Sequence, residues 1–206
     1  YPAQAVIPYD HRLRSLPAYL QQLVMESNGK SIDSQGNRID FDTSPVLFGE
    51  PGTDAQHSLF QMFHQGSDIV PMCFVGVVKP DHADAEAHAC LLANLLAQAT
   101  ALATGTGGLG SEEGLDVHKK MPGERPSEII MIDRLSPFAL GQLLALYEHK
   151  VFVESVIWDV NAYDQFGVEL GKVVAKTIQP ALEDNSVGVP ENYGLDALLG
   201  YIRDKS

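Results

Sequence analysis

Short runs of branched apolar residues alternate along this chain with longer stretches whose apolar residues recur at helical spacing, and that alternation leaves few folds open. Pro45-Val46-Leu47-Phe48-Gly49 is a brief apolar run closed by turn residues, which predicts a buried strand. Residues 69–78, rich in branched side chains, and 129–132 predict two more. The stretches around them are helical in pattern. Leu13, Leu16, Tyr19, Leu20 and Leu23 follow a helical period over 12–26, with Pro17 as the weak point and Ser27-Asn28-Gly29 as the stop. Residues 54–65 put Leu59, Phe60 and Phe63 on one face, and 88–103 are an Ala- and Leu-rich helix broken by Gly105. Ser136-Pro137 caps a helix running to about residue 150, and 168–181 and 194–203 are helical again. Residues 151–160 are apolar throughout, so periodicity does not choose between helix and strand. Strands buried on both faces read as unbroken apolar runs, so the pattern predicts an α/β fold around a mostly parallel sheet.

The chain has 206 residues, enough for one good-sized domain, and no internal repeat or linker divides it. Its formal charge of −13 excludes a broad nucleic-acid surface, which needs a basic stripe to displace counterions. The one dense basic cluster, His118-Lys119-Lys120, is small. The apolar stretches read as too short or too interrupted for a bilayer, and Tyr1-Pro2-Ala3-Gln4 has neither the basic start nor the apolar core of a secretory signal. Cys73 and Cys90 sit among apolar or small residues and read as free buried thiols, which fits a cytoplasmic location.

Three places carry candidate chemistry. Gln22 and Glu26 are four residues apart at the predicted end of a helix, so they share a face, and the negative end of the helix dipole disfavours a charged carboxylate there. By spacing alone, Glu26 is a solvated charge. His57 follows the turn Gly49-Glu50-Pro51-Gly52; a lone histidine there is ordinarily structural. Glu169 and Lys172 are three apart on a predicted helix and by themselves make an ion pair. Gly167 and Gly171, each costing about 1 kcal/mol relative to Ala inside a helix, suggest close approach of another backbone or a ligand. Asp81-His82-Ala83-Asp84-Ala85-Glu86-Ala87-His88 has ligand-type side chains, but its two histidines do not share a helix face, and a solvated helix start accounts for it better. The glycine-rich 105–110 run lacks the Lys and Ser/Thr of a phosphate loop and reads as a flexible surface loop.

Taken together, Met25-Glu26-Ser27-Asn28-Gly29-Lys30, Gly49-Glu50-Pro51-Gly52-Thr53-Asp54-Ala55-Gln56-His57 and Tyr163-Asp164-Gln165-Phe166-Gly167-Val168-Glu169-Leu170-Gly171-Lys172 resemble the glucose-6-phosphate isomerase family, in its C-terminal portion only. Leu135-Ser136-Pro137-Phe138 and Tyr147-Glu148-His149-Lys150 extend the resemblance, which runs from about residue 7 to 172. It implies a three-layer αβα sugar-isomerase (SIS) domain over 1–206, with the family's N-terminal half absent from this chain. It also implies an aldose–ketose isomerase acting on glucose 6-phosphate and fructose 6-phosphate through ring opening and an enediol. In that reading Glu26 is the enediol base, His57 and Lys172 open the ring, and Gln22 and Gln165 hold substrate hydroxyls. The family works as a homodimer in which this histidine reaches the partner's site, and it needs no metal or organic cofactor. The family carries Asn and Gly more often where this chain has Asp54 and Ala55, and Trp where it has Phe166. Arg125 and Lys119-Lys120 are poor stand-ins for a phosphate cradle, so the chain alone is expected to be close to inactive, with an apolar patch exposed. The other reading is a sugar-phosphate-binding module of the same fold without catalysis; a complete acid–base set favours the enzyme.

Overall fold

A computed structural model describes residues 1–110 and 113–205. The chain divides into two compact units, one from Tyr1 to Tyr163 and one from Asp164 to the C-terminus.

The first unit is built on four parallel strands: β1 (Ala3–Tyr9), β2 (Val46–Phe48), β3 (Met72–Lys79) and β4 (Ser127–Arg134), in the order β2-β1-β3-β4. The strand β1 has no counterpart in the sequence reading, and its Pro8 is a residue that central strands ordinarily exclude. The register resolves this. β2 pairs with β1 only over Ala3–Ala5, so Pro8 lies past the reach of that neighbour.

Alternate residues of the two central strands feed two separate cores. Val6, Cys73, Val75 and Val77 join Leu16, Leu20, Val24, Leu143, Tyr147 and Val151 on one face. Ala5, Ile7, Tyr9, Met72 and Phe74 join Ala55, Phe60, Phe63, Leu95 and Leu102 on the other. The result is the expected three-layer αβα arrangement. Helices α1 (Leu16–Gln21) and α5 (Pro137–Trp158) cover the first face. Helices α2 (Gly52–Ser58), α3 (Phe60–Gln65) and α4 (Ala85–Thr104) cover the second.

Several helices differ from their sequence reading. The expected helix over 12–26 is three pieces: a 3-10 turn at His11–Leu13, α1 with Pro17 in its first turn, and a π turn at Gln22–Glu26. Pro17 thus begins a helix, where its missing N–H costs nothing. The expected helix over 54–65 breaks at Leu59 into α2 and α3. Residues 151–158 extend α5, and Asp159 caps its end in the left-handed region. As expected, the Ser136 hydroxyl caps its start by accepting from the Ala139 N–H at 3.1 Å. Helix α4 starts earlier than read, with the Asp84 carboxylate accepting from the Ala87 N–H at 2.9 Å. That helix is long and apolar enough to cross a membrane by length and composition, contrary to the sequence reading; its Leu95, Ala99 and Leu102 are buried in this unit. The expected flexible loop after it is a 3-10 turn at Thr106–Leu109. Gly105 takes φ +60° where a Cβ would run into the Met121 carbonyl.

On α5, Leu143, Tyr147, Val151 and Ser155 form the buried stripe, while Phe152, Val153, Val156 and Ile157 stand exposed. The second unit pairs α6 (Glu169–Glu183) with α7 (Asp196–Arg203), and the Arg203 guanidinium donates to the carbonyls of Ala181 and Val187.

Both cysteines are free, but Cys90 is exposed rather than buried. Cys73 lies in the core with its sulfur 3.3 Å from the Tyr147 hydroxyl oxygen. Burial pushes its thiol up from 9.0 to about 12, with the Tyr147 hydroxyl acting in the opposite direction. The folded chain therefore keeps a proton that the unfolded chain releases above about pH 9, so stability falls as pH rises from there toward about 12. Urea midpoints are expected to drop across that window, and a thiol reagent is expected to label Cys90 quickly and Cys73 only on unfolding.

Candidate active site

The π turn sets the geometry around Glu26. A π turn fits one more residue per turn than an α-helix and often marks a functional position. Here it holds both Gln22 and Glu26, and Gln22 Nε2 donates to the Glu26 carboxylate at 3.3 Å. Gln22 is exposed and Glu26 is half-buried. Behind them Val24 packs into the first core, and Ser27 and Asn28 are buried. The helix stop differs from expectation in one respect. Gly29 does not adopt a positive φ; it is required because a Cβ would collide with the Met25 carbonyl. The negative end of the helix is also not bare, since Lys30 Nζ donates to the carbonyls of Glu26 and Ser27 at 2.9 and 2.6 Å. In the sequence Lys30 has no assigned role; its signal is a cation placed just past a helix end.

His57 lies in the last turn of α2, exposed, rather than at a helix start. The loop that delivers it is held by close packing. A Cβ at Gly49 would strike the Val6 carbonyl, and one at Gly52 would enter the Tyr9 ring. The Ser58 hydroxyl donates to the Glu50 carboxylate and has the Asp54 carbonyl as an alternative acceptor, tying the end of α2 back to its start. Asp54 is exposed in the first turn, and Ala55 is buried without a positive φ, so the Ala in place of the family's Gly is accommodated. The Tyr9 hydroxyl beneath the loop is buried without a hydrogen-bond partner of good geometry. Burial raises it to about 12, partly offset by nearby Gln56.

Gln22 and Glu26 are therefore brought together. His57 is not brought to them: α2 packs on the opposite face of the sheet from the π turn. Gln165 and Lys172 belong to the second unit. Gln165 is exposed ahead of a 3-10 turn at Phe166–Val168, and Lys172 Nζ bonds Glu169 at 2.8 Å on the exposed side of α6. A Cβ at Gly167 or Gly171 meets no described atom within 4 Å, so close packing among the described residues does not account for those glycines. Arg125 is buried and donates to the Gly66 carbonyl at 2.9 Å, a structural contact. At the start of α4, the His82 and His88 rings meet edge to face with centroids 5.8 Å apart, and His88 Nε2 lies 2.9 Å from the Val78 carbonyl.

A family model described as phosphoglucose isomerase matches residues 1–196. The chain belongs to the phosphoglucose isomerase family. It is 49% identical over 217 residues to a glucose-6-phosphate isomerase of Beijerinckia indica, covering 98% of this chain and 40% of that relative. It is 52% identical over 187 residues to one from Xanthomonas axonopodis pv. citri, covering 91% and 36%. A crystal structure of a glucose-6-phosphate isomerase from Chlamydia trachomatis superposes with a TM-score of 0.84 at 41% identity, over 98% of this chain and 38% of that one. A hypothetical protein from Thermus thermophilus superposes with a TM-score of 0.63 at 26% identity, over 85% and 40%. The chain thus spans about 40% of the length of the phosphoglucose isomerases it matches.

Within this family fold, the Gly52–Tyr9 contact fixes where α2 begins. Gly52→Ala is expected to cost about 1–3 kcal/mol of stability through overpacking. Urea unfolding of the two proteins measures the difference.

Proposed function

We propose that this chain is the C-terminal part, one SIS-type domain over residues 1–206, of an enzyme that interconverts glucose 6-phosphate and fructose 6-phosphate. The observation that carries the reading is the half-buried Glu26 carboxylate on a π turn, hydrogen-bonded to Gln22. An aldose–ketose isomerisation needs one base that moves a proton between adjacent carbons, and a carboxylate at a partly shielded position suits it. Glu26 takes the proton from C2 of the open-chain aldose, the enediol forms, and the same group returns the proton to C1. His57 and Lys172 open the sugar ring by moving a proton between the ring oxygen and the C1 hydroxyl. Gln22 and Gln165 hold hydroxyls. Acid–base groups and charge stabilisation suffice for this chemistry, so no metal or organic cofactor takes part. The names of the relatives support the substrate.

The site is shared between two copies. His57 and Glu26 ride on opposite faces of one sheet, which favours His57 serving the partner's site in a homodimer. The phosphate is held outside this chain, since Arg125 is committed to Gly66 and the net charge of −13 leaves no broad basic surface. The exposed apolar face of α5 supports docking against the rest of the enzyme, which works in the cytoplasm.

The first test is turnover of fructose 6-phosphate by this chain, alone and mixed with the N-terminal segment of a relative. Activity is expected only on mixing, because without phosphate contacts the remote binding energy that aligns the sugar is lost. Robust turnover by the chain alone sinks the split-site reading. A folded chain that stays inactive on mixing points to a binding module instead. In the active mixture, Glu26→Gln is expected to abolish isomerisation and spare sugar-phosphate binding. Lys172→Ala is expected to slow cyclic substrate more than open-chain substrate, and equal losses would count against ring opening.

A further inference from the structure

A helical segment ends in carbonyls that it cannot satisfy itself, and here each of the last four has a donor. The Gly29 N–H donates to the Met25 carbonyl at 2.9 Å, and the Lys30 backbone N–H to the Asn28 carbonyl at 2.8 Å. The two carbonyls between them, those of Glu26 and Ser27, both accept from the single ammonium of Lys30. One side chain therefore closes half of the end on which Glu26 sits. The turn is anchored at further places too, the most buried of them Asn28. Asn28, fully buried, donates through Nδ2 to the Val151 carbonyl at 3.1 Å and to the Glu154 carboxylate at 3.4 Å, both on α5. Both partners only accept, so the amide has one possible orientation. With Asn28 pinned to α5, the Lys30 ammonium holds the stretch between that pin and the π turn.

We propose that Lys30 is a positioning residue for the isomerisation, which fixes the Glu26 carboxylate through its backbone rather than by touching substrate. This rests on the reading of Glu26 as the enediol base. A base that must serve two adjacent carbons tolerates little displacement, and misplacing a reacting group by about 1 Å can cost about 100-fold in rate. Gly29 offers no side chain to take over these two carbonyls.

The test uses Lys30→Met, which keeps the length of the side chain and removes its donors, and Lys30→Arg, which supplies donors again. Hydrogen exchange on the 206-residue chain comes first. Lys30→Met is expected to speed exchange of the Ser27 and Gly29 amides about tenfold and leave the β3 amides unchanged, as local opening does. Unchanged exchange at Ser27 and Gly29 overturns the proposal. Kinetics on the active mixture come second. Lys30→Met is expected to lower kcat about 100-fold with KM within about twofold, and Lys30→Arg to recover most of the loss. A risen KM with intact kcat, or no recovery by arginine, overturns it. Glu26→Gln is run beside them. If Glu26→Gln keeps its turnover, the base assignment falls and the positioning role falls with it. If Glu26→Gln is inactive while Lys30→Met is fully active, the base stands and only the positioning role is lost.

Discussion

The first unit depends on β1 and β3 lying side by side with both faces buried. Their residues point alternately into two cores that share no side chain, so each strand is the floor of one layer and the ceiling of the other. Val6 serves the core under α1 and α5, while Ala5 and Ile7 serve the core under α2, α3 and α4. A slip of one residue in register would exchange the two sets wholesale. That double constraint makes the sheet a stiff frame on which the segments carrying Glu26 and His57 are seated. One is anchored by Val24 below the π turn, the other by Ala55 below α2.

Much of this was legible in the residues. Branched apolar runs gave β2, β3 and β4 because strands buried on both faces need no polar alternation. Ser136-Pro137 announced α5 because a hydroxyl and a ring-locked φ are what a helix start requires. Two things were hidden, each for a physical reason. β1 contains Pro8, whose tolerance depends on β2 ending at its partner Ala5, a fact of pairing and not of composition. The π turn at Gln22–Glu26 was hidden because a four-residue spacing returns to about the same face in either kind of helix. The expected Gln22–Glu26 neighbourhood is therefore present, although the helix that carries it is not the one the period predicts.

The site divides the same way. The three motifs marked Glu26, His57 and Lys172, yet their spacing along the chain carries no information about which side of the sheet each would face. That depends on crossover connections: the segment after β1 returns over one face and the segment after β2 over the other. Lys172 lies outside the sheet unit altogether, in a helical unit where its one ion-pair partner is Glu169 three residues earlier among the bonds described. An exposed pair of this kind contributes about 0–1 kcal/mol, so breaking it costs the fold little.

Groups that handle protons need more than proximity; each must be held by parts that do not themselves react. Lys30 and Lys172 show two ways in which this chain holds a lysine. Lys172 is on the surface with a single exposed partner, a setting that costs little to vacate. Lys30 is bonded to two carbonyls at 2.9 and 2.6 Å, and leaving them would strand both acceptors at a partly buried helix end. In the proposed mechanism the first arrangement suits a group that must change hydrogen bonds during turnover, the second one that must not. Both lysines sit in polar motifs, so sequence places them alike; the number and burial of their acceptors is what differs between them.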